Sequence, residues 1–543
     1  MKIFKNKFDF ILPILSGLLM ALYPLFDFGY LVWISLIPLF CFISLKSTTH
    51  KRAFIGGTIT GAIFLGAVLK WLFDTAPFEW LGVKSENSLV LTFFIFLVLW
   101  FIQAIFLGLF TGAFSWIAKK TFVSKFGNSL WVLLIVPSIW IIFEYLKIWG
   151  FNILWLGKET LFGAHWTFSN MAYALHSNSA LIQIADIGGI YLVEFLIILI
   201  NTFLFFIVYN LKNKNFHKKL LTATIIVILI MVFWRGYGIY KLKSIENGSQ
   251  IKIALLQTNF VSSNDFNAYN RMDVFDVIKK IFQDPKNFKE KPDLVIAPEG
   301  FGIISMSGSK EIAKYILKDF WKPGQIFLEN QKIVDENEKV KSRLLYYDLD
   351  QEKPIAFYDK MFLMPNGDYL PYITKLFLNI YSFDLDLRGK FFERGEYPYV
   401  AKTQKGNLGG SICTGFLSLS MNRKMTNDGA EILISVSSDA PFHGSKTLLN
   451  QNLAISQFRA VENNRYFAQA TNMGYSFLIN SRGQIINISE KFGNEILFPE
   501  AKLIDKKTIY TQFGDWIMVF AIIILIFVFL ILSKNHKTAP AVD

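Results

Sequence analysis

The chain has 543 residues, of which 53% are hydrophobic and 18% charged, and its mean hydropathy is +0.37. This composition is typical of a membrane protein and excludes a single ordinary soluble domain. The net charge of +13 would suit nucleic acid, but the basic residues gather in loops between apolar segments, which indicates a topology signal and no nucleic-acid partner. Two distant cysteines and six scattered histidines predict no disulfide framework, no metal site and no cofactor.

Eight apolar segments approach the roughly 20 residues that a membrane-spanning helix needs. They lie at 9–26, 29–45, 53–73, 88–117, 129–147, 178–210, 220–241 and 511–532. We therefore predict a membrane domain with seven helices over residues 1–242. A C-terminal transmembrane helix and a cytoplasmic tail are predicted over residues 509–543.

The basic loops predict the orientation of these spans. With eight spans, every loop rich in Lys and Arg falls on the same side, which the positive-inside rule assigns to the cytoplasm. Residues 243–508, between the seventh and eighth spans, then lie on the outer side. In a bacterium with two membranes this side is the periplasm, so the protein is predicted to sit in the inner membrane.

Residues 243–508 alternate between strand and helix patterns, which is typical of a layered α/β domain. Strands are predicted at 251–257, 293–297, 325–330, 341–349, 354–358, 396–402, 408–413 and 431–437. Helices are predicted at 267–283, 309–320 and 447–467, and a hairpin at 475–486.

Three chemically useful side chains fall at the ends of predicted strands. Glu299 follows an apolar strand, where a buried carboxylate costs free energy unless it has a role. Lys360 has apolar neighbours that could lower its pKa or press it against a thiolate. Cys413 could attack a carbonyl as a thiolate if a base and a cation lie nearby. Each is more often structural when it occurs alone, but together they predict an acyl-transfer site.

Two further features each allow two interpretations, and a third predicts a location relative to the membrane. Glu144 and Lys147, at the end of the fifth span, are either functional or a structural ion pair. Residues 370–383 form either an amphipathic gate at the membrane surface or a buried helix of the α/β domain. The aromatic loop 150–177 is predicted to lie in the membrane interface.

The order of several short motifs resembles the apolipoprotein N-acyltransferases. The motifs lie at 16–24, 149–152, 182–194, 256–259, 298–299, 360–368, 413, 437–440, 459–465 and 471–474. The resemblance implies an α-β-β-α sandwich of the nitrilase type, inserted before the last of about eight membrane helices. It also implies a catalytic triad of Glu299, Lys360 and Cys413, with Asp368 in the acidic position that follows the family's lysine.

The function implied by the resemblance is the last acylation of bacterial lipoproteins. A fatty acyl chain would pass from a membrane phospholipid to Cys413 as a thioester. From there it would pass to the α-amino group of the diacylglyceryl-modified cysteine of an apolipoprotein. Glu299 would act as the base, and Lys360 and the backbone N–H of Thr414 would hold the oxyanion.

Two departures from the family's pattern lie close to the nucleophile. Thr414 and Gly415 stand where the family has Tyr-Glu, and Pro441 stands where it has Trp. Either Asp368 or Glu462 then supplies the missing carboxylate, or transfer to the lipoprotein is the weaker half-reaction. Two alternatives follow: a membrane-tethered nitrilase-like amidase or thioesterase, and a catalytically impaired homologue that binds lipoproteins.

Overall fold

The computed structural model describes residues 7–77, 85–122, 130–212, 218–260, 268–284, 291–380 and 391–537. Several residues of the predicted topology signal, Lys2, Lys5, Lys125 and Lys214, lie outside the described residues. So does the end of the predicted gate segment, residues 381–383.

In the part of the chain that the structure describes, eight α-helices come before the α/β domain. They are α1 (Ile11–Phe26), α2 (Ile37–Ser44), α3 (His50–Val68), α4 (Ser85–Phe122), α5 (Val132–Leu154), α6 (Ser179–Ile182), α7 (Ala185–Lys212) and α8 (Lys218–Lys243). After the α/β domain come α15 (Ile509–Phe513) and α16 (Trp516–Lys537). Among the described residues, six segments are long and apolar enough to cross a membrane. Two shorter apolar helices, Gly29–Ser44 and Trp516–Leu530, occupy the predicted second and eighth positions, which confirms the polytopic helical architecture.

Small residues hold α3 and α4 against each other. A Cβ atom at Gly61 would lie 3.1 Å from the backbone of Ala104, and one at Gly57 would lie 2.0 Å from Thr111 Oγ1. Without the hydrophobic effect to join helices in lipid, such close backbone contact supplies the packing energy. The α3–α4 pair is therefore a tightly packed wall of the membrane domain.

The region between α8 and α15 contains two sheets. The strands are β1 (Ser249–Gln257), β2 (Leu294–Ile296), β3 (Ile326–Val334), β4 (Val340–Asp348), β5 (Ala356–Asp359), β6 (Val400–Thr403), β7 (Gly406–Ile412), β8 (Ile432–Ser438), β9 (Tyr466–Asn472), β10 (Phe477–Ile479), β11 (Ile485–Ile488), β12 (Glu495–Leu497) and β13 (Glu500–Leu503). The first sheet has the order β12-β1-β2-β3-β4-β5, with β13 paired to β1, and the second has the order β11-β10-β9-β8-β7-β6. Strands β1–β3 and β7–β9 pair in parallel, and the remaining pairs are antiparallel.

The two sheets pack face to face, with helices on both outer faces. The helices of this region are α9 (Ala268–Gln283), α10 (Ile303–Ser307), α11 (Lys310–Ile316), α12 (Tyr372–Ile380), α13 (Leu419–Asn427) and α14 (Lys446–Asn463). Gly410 of β7 faces Tyr346 of β4 so closely that a Cβ would lie 2.0 Å from Tyr346 Oη. Helices α9–α11 share an apolar core with the first sheet, and α13 and α14 contact the second. This is the predicted α-β-β-α sandwich.

Some predicted boundaries are wrong. The helix predicted over 447–467 ends at Asn463, because Asn464 adopts a left-handed conformation (φ 52°) and β9 begins at Tyr466. The strand predicted from residue 396 begins at Val400, and the edge strands β12 and β13 were not predicted.

Helix α14 and the loop before α6 join the sandwich to the membrane helices. Helix α14 packs against α7, and α14 is almost entirely buried. In the loop, Trp155 and Trp166 are buried, and His165 Nδ1 lies 2.7 Å from Ser418 Oγ of the sandwich. These residues pack between the two parts of the protein, and the location of loop 150–177 in the membrane interface stays a prediction.

Candidate active site

Cys413 lies directly after β7, at a sharp turn. Its φ angle is +47°, a left-handed conformation that costs a non-glycine residue free energy and is often found at functional sites. The next residue fixes this turn, because Thr414 Oγ1 donates a 2.6 Å hydrogen bond to the carbonyl of Phe362. The turn thus presents the thiol at the end of the sheet, close to the segment that follows Lys360.

Glu299 lies beyond the end of β2, at the same edge of the sandwich. Its backbone N–H donates to the carbonyl of Ser437 at the end of β8 (3.2 Å). Gly300 then turns the chain with a φ of +80°. The Cys413 thiol is close enough to the Glu299 carboxylate to lower the pKa of that carboxyl, so the two groups are neighbours in the site.

Lys360 follows β5 and is held between two carboxylates. Its Nζ lies 3.1 Å from Glu299 Oε1 and 2.8 Å from Asp368 Oδ2, and its side chain is 2% exposed. Asp368 also accepts a 2.8 Å hydrogen bond from the backbone N–H of Met364. This bond closes the loop from Met364 to Asp368. The ammonium group is thereby fixed next to the thiol.

Burial and charge set the protonation states of this cluster. Burial alone would lower the pKa of Lys360, but Asp368, Glu299 and Cys413 raise it well above its usual value. The predicted alternative of a lowered lysine pKa is therefore wrong, and Lys360 is a cation. Burial raises the pKa of Glu299, although Lys360 opposes the shift, and burial raises the pKa of the Cys413 thiol. The Cys413 thiol is thus neutral at rest, and it has to lose its proton before the sulfur can react as a thiolate.

A cavity of about 290 Å³ opens beside these residues. Glu299, Lys360, Asp368 and Cys413 lie on the side that belongs to the sandwich. The opposite wall consists of membrane-helix and loop residues, among them Leu69, Leu72, Ile95, Leu99, Trp155 and Trp166. The polar cluster therefore stands at the edge of a mainly apolar chamber between the two parts of the protein. Nothing in the sequence of the apolar spans distinguished this wall from lipid-facing surface.

Glu462 is not part of this cluster. It is fully buried, pairs with Arg459, and accepts a 3.0 Å hydrogen bond from the backbone N–H of Ile190 in α7. It thus joins α14 to the membrane domain, and of the two candidates for the missing carboxylate the structure places only Asp368 at the cavity. Gly415 has little space for a side chain, because a Cβ there would lie 2.9 Å from Ser411 Cβ.

Two further acidic groups lie outside the triad. Asp439, just after β8, is buried, and burial together with Glu299 raises its pKa to about 7. Sequence reasoning assigned it no role. Glu144 and Lys147 are both buried in α5 and form an ion pair, with Lys147 Nζ 2.5 Å from Glu144 Oε1; a functional role of this pair stays a prediction.

Comparisons with known proteins cover almost the whole chain. The family described as apolipoprotein N-acyltransferase N-terminal domain matches residues 16–203, and the carbon-nitrogen hydrolase family matches residues 252–505. Together with the fold, these matches define a polytopic membrane enzyme with a carbon-nitrogen hydrolase domain.

Full-length relatives narrow this class. The apolipoprotein N-acyltransferase of Geobacter metallireducens is 24% identical over 93% of this chain and 92% of its own. That of Synechocystis sp. is 26% identical over 91% and 95%. Apolipoprotein N-acyltransferase 1 of Treponema denticola is 26% identical over 98% and 99%. The chain belongs to the apolipoprotein N-acyltransferase family, and it is an acyltransferase of the bacterial membrane.

Proposed function

We propose that this protein transfers a fatty acyl chain from a membrane phospholipid to the N-terminal α-amino group of diacylglyceryl-cysteine on apolipoproteins. One observation carries the proposal: Cys413 and Glu299 share a cavity with residues of the membrane helices α3, α4 and α5. A hydrolase of soluble substrates has no need for such a wall, whereas a donor lipid must bring its acyl ester to the thiol without leaving the bilayer.

In the first half-reaction, Glu299 takes the proton of Cys413 as the sulfur attacks the ester carbonyl carbon of the phospholipid. Lys360 and the backbone N–H of Thr414 stabilise the oxyanion. The ester C–O bond then breaks, and Glu299 returns its proton to the leaving lysophospholipid oxygen. The product is a thioester on Cys413. The proximity of Glu299 to the thiol and the cationic Lys360 beside them support this assignment.

In the second half-reaction, the α-amino group of the lipoprotein attacks the thioester carbon. Glu299 accepts the proton that the amine loses, the C–S bond breaks, and Cys413 leaves as a thiolate. The proton then returns from Glu299 to the sulfur. An amide forms and the enzyme is restored, which is the ping-pong scheme expected for covalent catalysis.

Helix α12 supports access from the bilayer. Tyr372, Leu376 and Ile380 are more than half exposed on this short helix, and their spacing of four residues places them on one face. On the other face, Phe377 stacks on Phe94 of α4 with ring centroids 3.9 Å apart. This helix therefore has features of both alternatives, the buried helix and the amphipathic gate. One face is buried, and we propose that the exposed apolar face lies at the membrane surface as a gate.

The proposed location is the inner membrane, with residues 243–508 in the periplasm between membrane parts 1–242 and 509–543. The lysine distribution supports this orientation. A reporter active only in the periplasm should be active when it is fused after Lys243 and inactive when it is fused after Lys219. The reverse pattern would contradict the orientation and the access to exported lipoproteins.

The decisive experiment is mass spectrometry of the purified protein after incubation with phospholipid. We expect an added acyl mass on Cys413, which Cys413→Ala and Cys413→Ser abolish and Glu299→Gln strongly slows. Adding a diacylglyceryl-modified lipopeptide should release the acyl group as an amide. Release to water without acceptor would indicate the amidase or thioesterase alternative, and a stable thioester that no acceptor removes would indicate an impaired homologue.

A further inference from the structure

One side of α4 runs along the cavity. Thr92, Ile95, Leu99 and Gln103 all line it, and their spacing of three or four residues places them on one helix face. The Thr92 end is next to the sandwich, because Phe94 stacks on Phe377. At a rise of 1.5 Å per residue, Gln103 lies about 16 Å further along the helix.

Gln103 lies at the middle of its membrane-spanning segment, which extends from Glu86 to Ile117. A bilayer's hydrocarbon core is about 30 Å thick, so one leaflet is about 15 Å deep. The distance from Thr92 to Gln103 therefore matches the depth of one leaflet. An acyl chain that runs along this face of α4 from the Thr92 end would reach Gln103 after about 16 Å.

Gln103 is a polar residue in a mainly apolar cavity, and its side-chain amide is only partly hydrogen-bonded. Its side chain is 6% exposed, and its Oε1 accepts only a long 3.5 Å hydrogen bond from Ser169 Oγ. Within the part of the chain that the structure describes, no protein acceptor is found for its amide N–H groups. Both Gln103 and Ser169 line the cavity. An amide in this position needs water or a ligand as a partner, because burying it without one is costly.

We propose that Gln103, together with Ser169, ends the acyl cavity and sets the longest acyl chain that the enzyme accepts. The inference rests on the proposed function. A chain that stops short of Gln103 leaves space for water at the amide. A longer chain displaces that water and offers only methylene groups, so the amide loses its partner. Leaving a buried polar group without a hydrogen-bond partner costs free energy, and the lower end of that cost slows acylation about tenfold.

The test is the rate of thioester formation on Cys413 with phosphatidylethanolamines that carry two identical saturated chains of increasing length. For the wild type we expect a rate that falls about tenfold beyond one length. Gln103→Leu, of similar size and without polar atoms, should react with the longer chains almost as fast as with the best one. Leucine suits a membrane helix, so folding should be preserved. Thr111→Val also removes a buried polar group from α4, outside the cavity, and should keep the wild-type length limit.

The outcomes separate this inference from the proposed function. No thioester with any lipid would overturn the proposed function itself. A thioester that forms at the same rate with every chain length would refute the length limit alone. An unchanged limit in Gln103→Leu would show that another residue ends the cavity.

Discussion

Asp368→Asn tests the charge arrangement around Lys360 with a small change of shape. Asp368 Oδ2 lies 2.8 Å from Lys360 Nζ and accepts the backbone N–H of Met364. Asparagine retains an oxygen that can accept the Met364 hydrogen bond but removes the negative charge. Lys360 then has one anionic partner, Glu299, at 3.1 Å.

The expected loss of stability follows from the distance and the burial. Two unit charges 2.8 Å apart attract by roughly 6 kcal/mol at an effective dielectric constant of about 20. Removing one partner of a buried pair costs about 3–5 kcal/mol. Because Glu299 still compensates Lys360, we expect about 3 kcal/mol, the lower end of that range. The measurement is a lower thermal unfolding temperature in detergent, and Asp368→Ala, which also loses the Met364 hydrogen bond, should fall further.

The same variant should change the pH dependence of acylation. Burial raises the pKa of Glu299, and the negative charge of Asp368 raises it further. Removing that charge lowers the pKa, so the base is ionised at lower pH. The rising limb of the acylation rate should therefore move to lower pH, while a less firmly held Lys360 lowers the plateau by up to roughly a hundredfold.

Asp359→Asn is the matched control. Asp359 precedes Lys360 in sequence but forms its ion pair with Arg343, at 2.6 Å. It should lose some stability and keep the wild-type pH profile. The reasoning is refuted if Asp368→Asn leaves the rising limb in place or moves it to higher pH, or if Asp359→Asn moves it equally.

Three further predictions concern residues near the nucleophile. Gly410→Ala should lower the unfolding temperature, because the new Cβ would lie 2.0 Å from a tyrosine hydroxyl of the facing sheet. Asp439 has a pKa of about 7 in the folded protein, against about 3.9 in the unfolded chain. The stability that the protonated carboxyl contributes is therefore present below about pH 4 and is lost as the pH rises through about 7. Asp439→Asn should flatten this decline of thermal stability. The double change Thr414→Tyr with Gly415→Glu should speed transfer to a lipopeptide more than thioester formation in single-turnover measurements. The new Cβ at residue 415 would crowd Ser411. If transfer becomes slower instead of faster, the site has been rebuilt around Thr414 and Gly415.

Much of the fold could be predicted because its signals are local. The membrane segments are long apolar runs, and the central strands are short apolar runs that end in polar residues. Glu299 and Cys413 both follow parallel strands, and the hydrogen bond from the Glu299 N–H to the Ser437 carbonyl brings the ends of the two sheets together at one edge of the sandwich. The structure places them together with Lys360, as expected, while their catalytic roles remain a prediction for the experiments above.

Other features depend on contacts between distant segments. Glu462 and Arg459 are three residues apart on α14 and form an ion pair. This spacing is the same whether the pair faces a substrate or an interface between two parts of the protein. The hydrogen bond from Ile190 shows that Glu462 lies at the interface. The far wall of the cavity was equally hidden, because Ile95 and Leu99 look like residues that face lipid. The end of α14 was missed because Asn464 adopts a left-handed conformation that the sequence does not require.

The composition of the cavity has a consequence for biosynthesis. The wall opposite the sandwich comes from residues 68–103 and 151–169, and Cys413 comes from a segment translated long afterwards. While the chain is being made, the apolar wall near Leu69 and Leu99 is in the bilayer without the sandwich that later faces it. The thiol can face that wall only after β7 and β8 have been translated and have folded. The cavity is thus complete only after the later-translated sandwich has packed against the earlier-translated membrane helices.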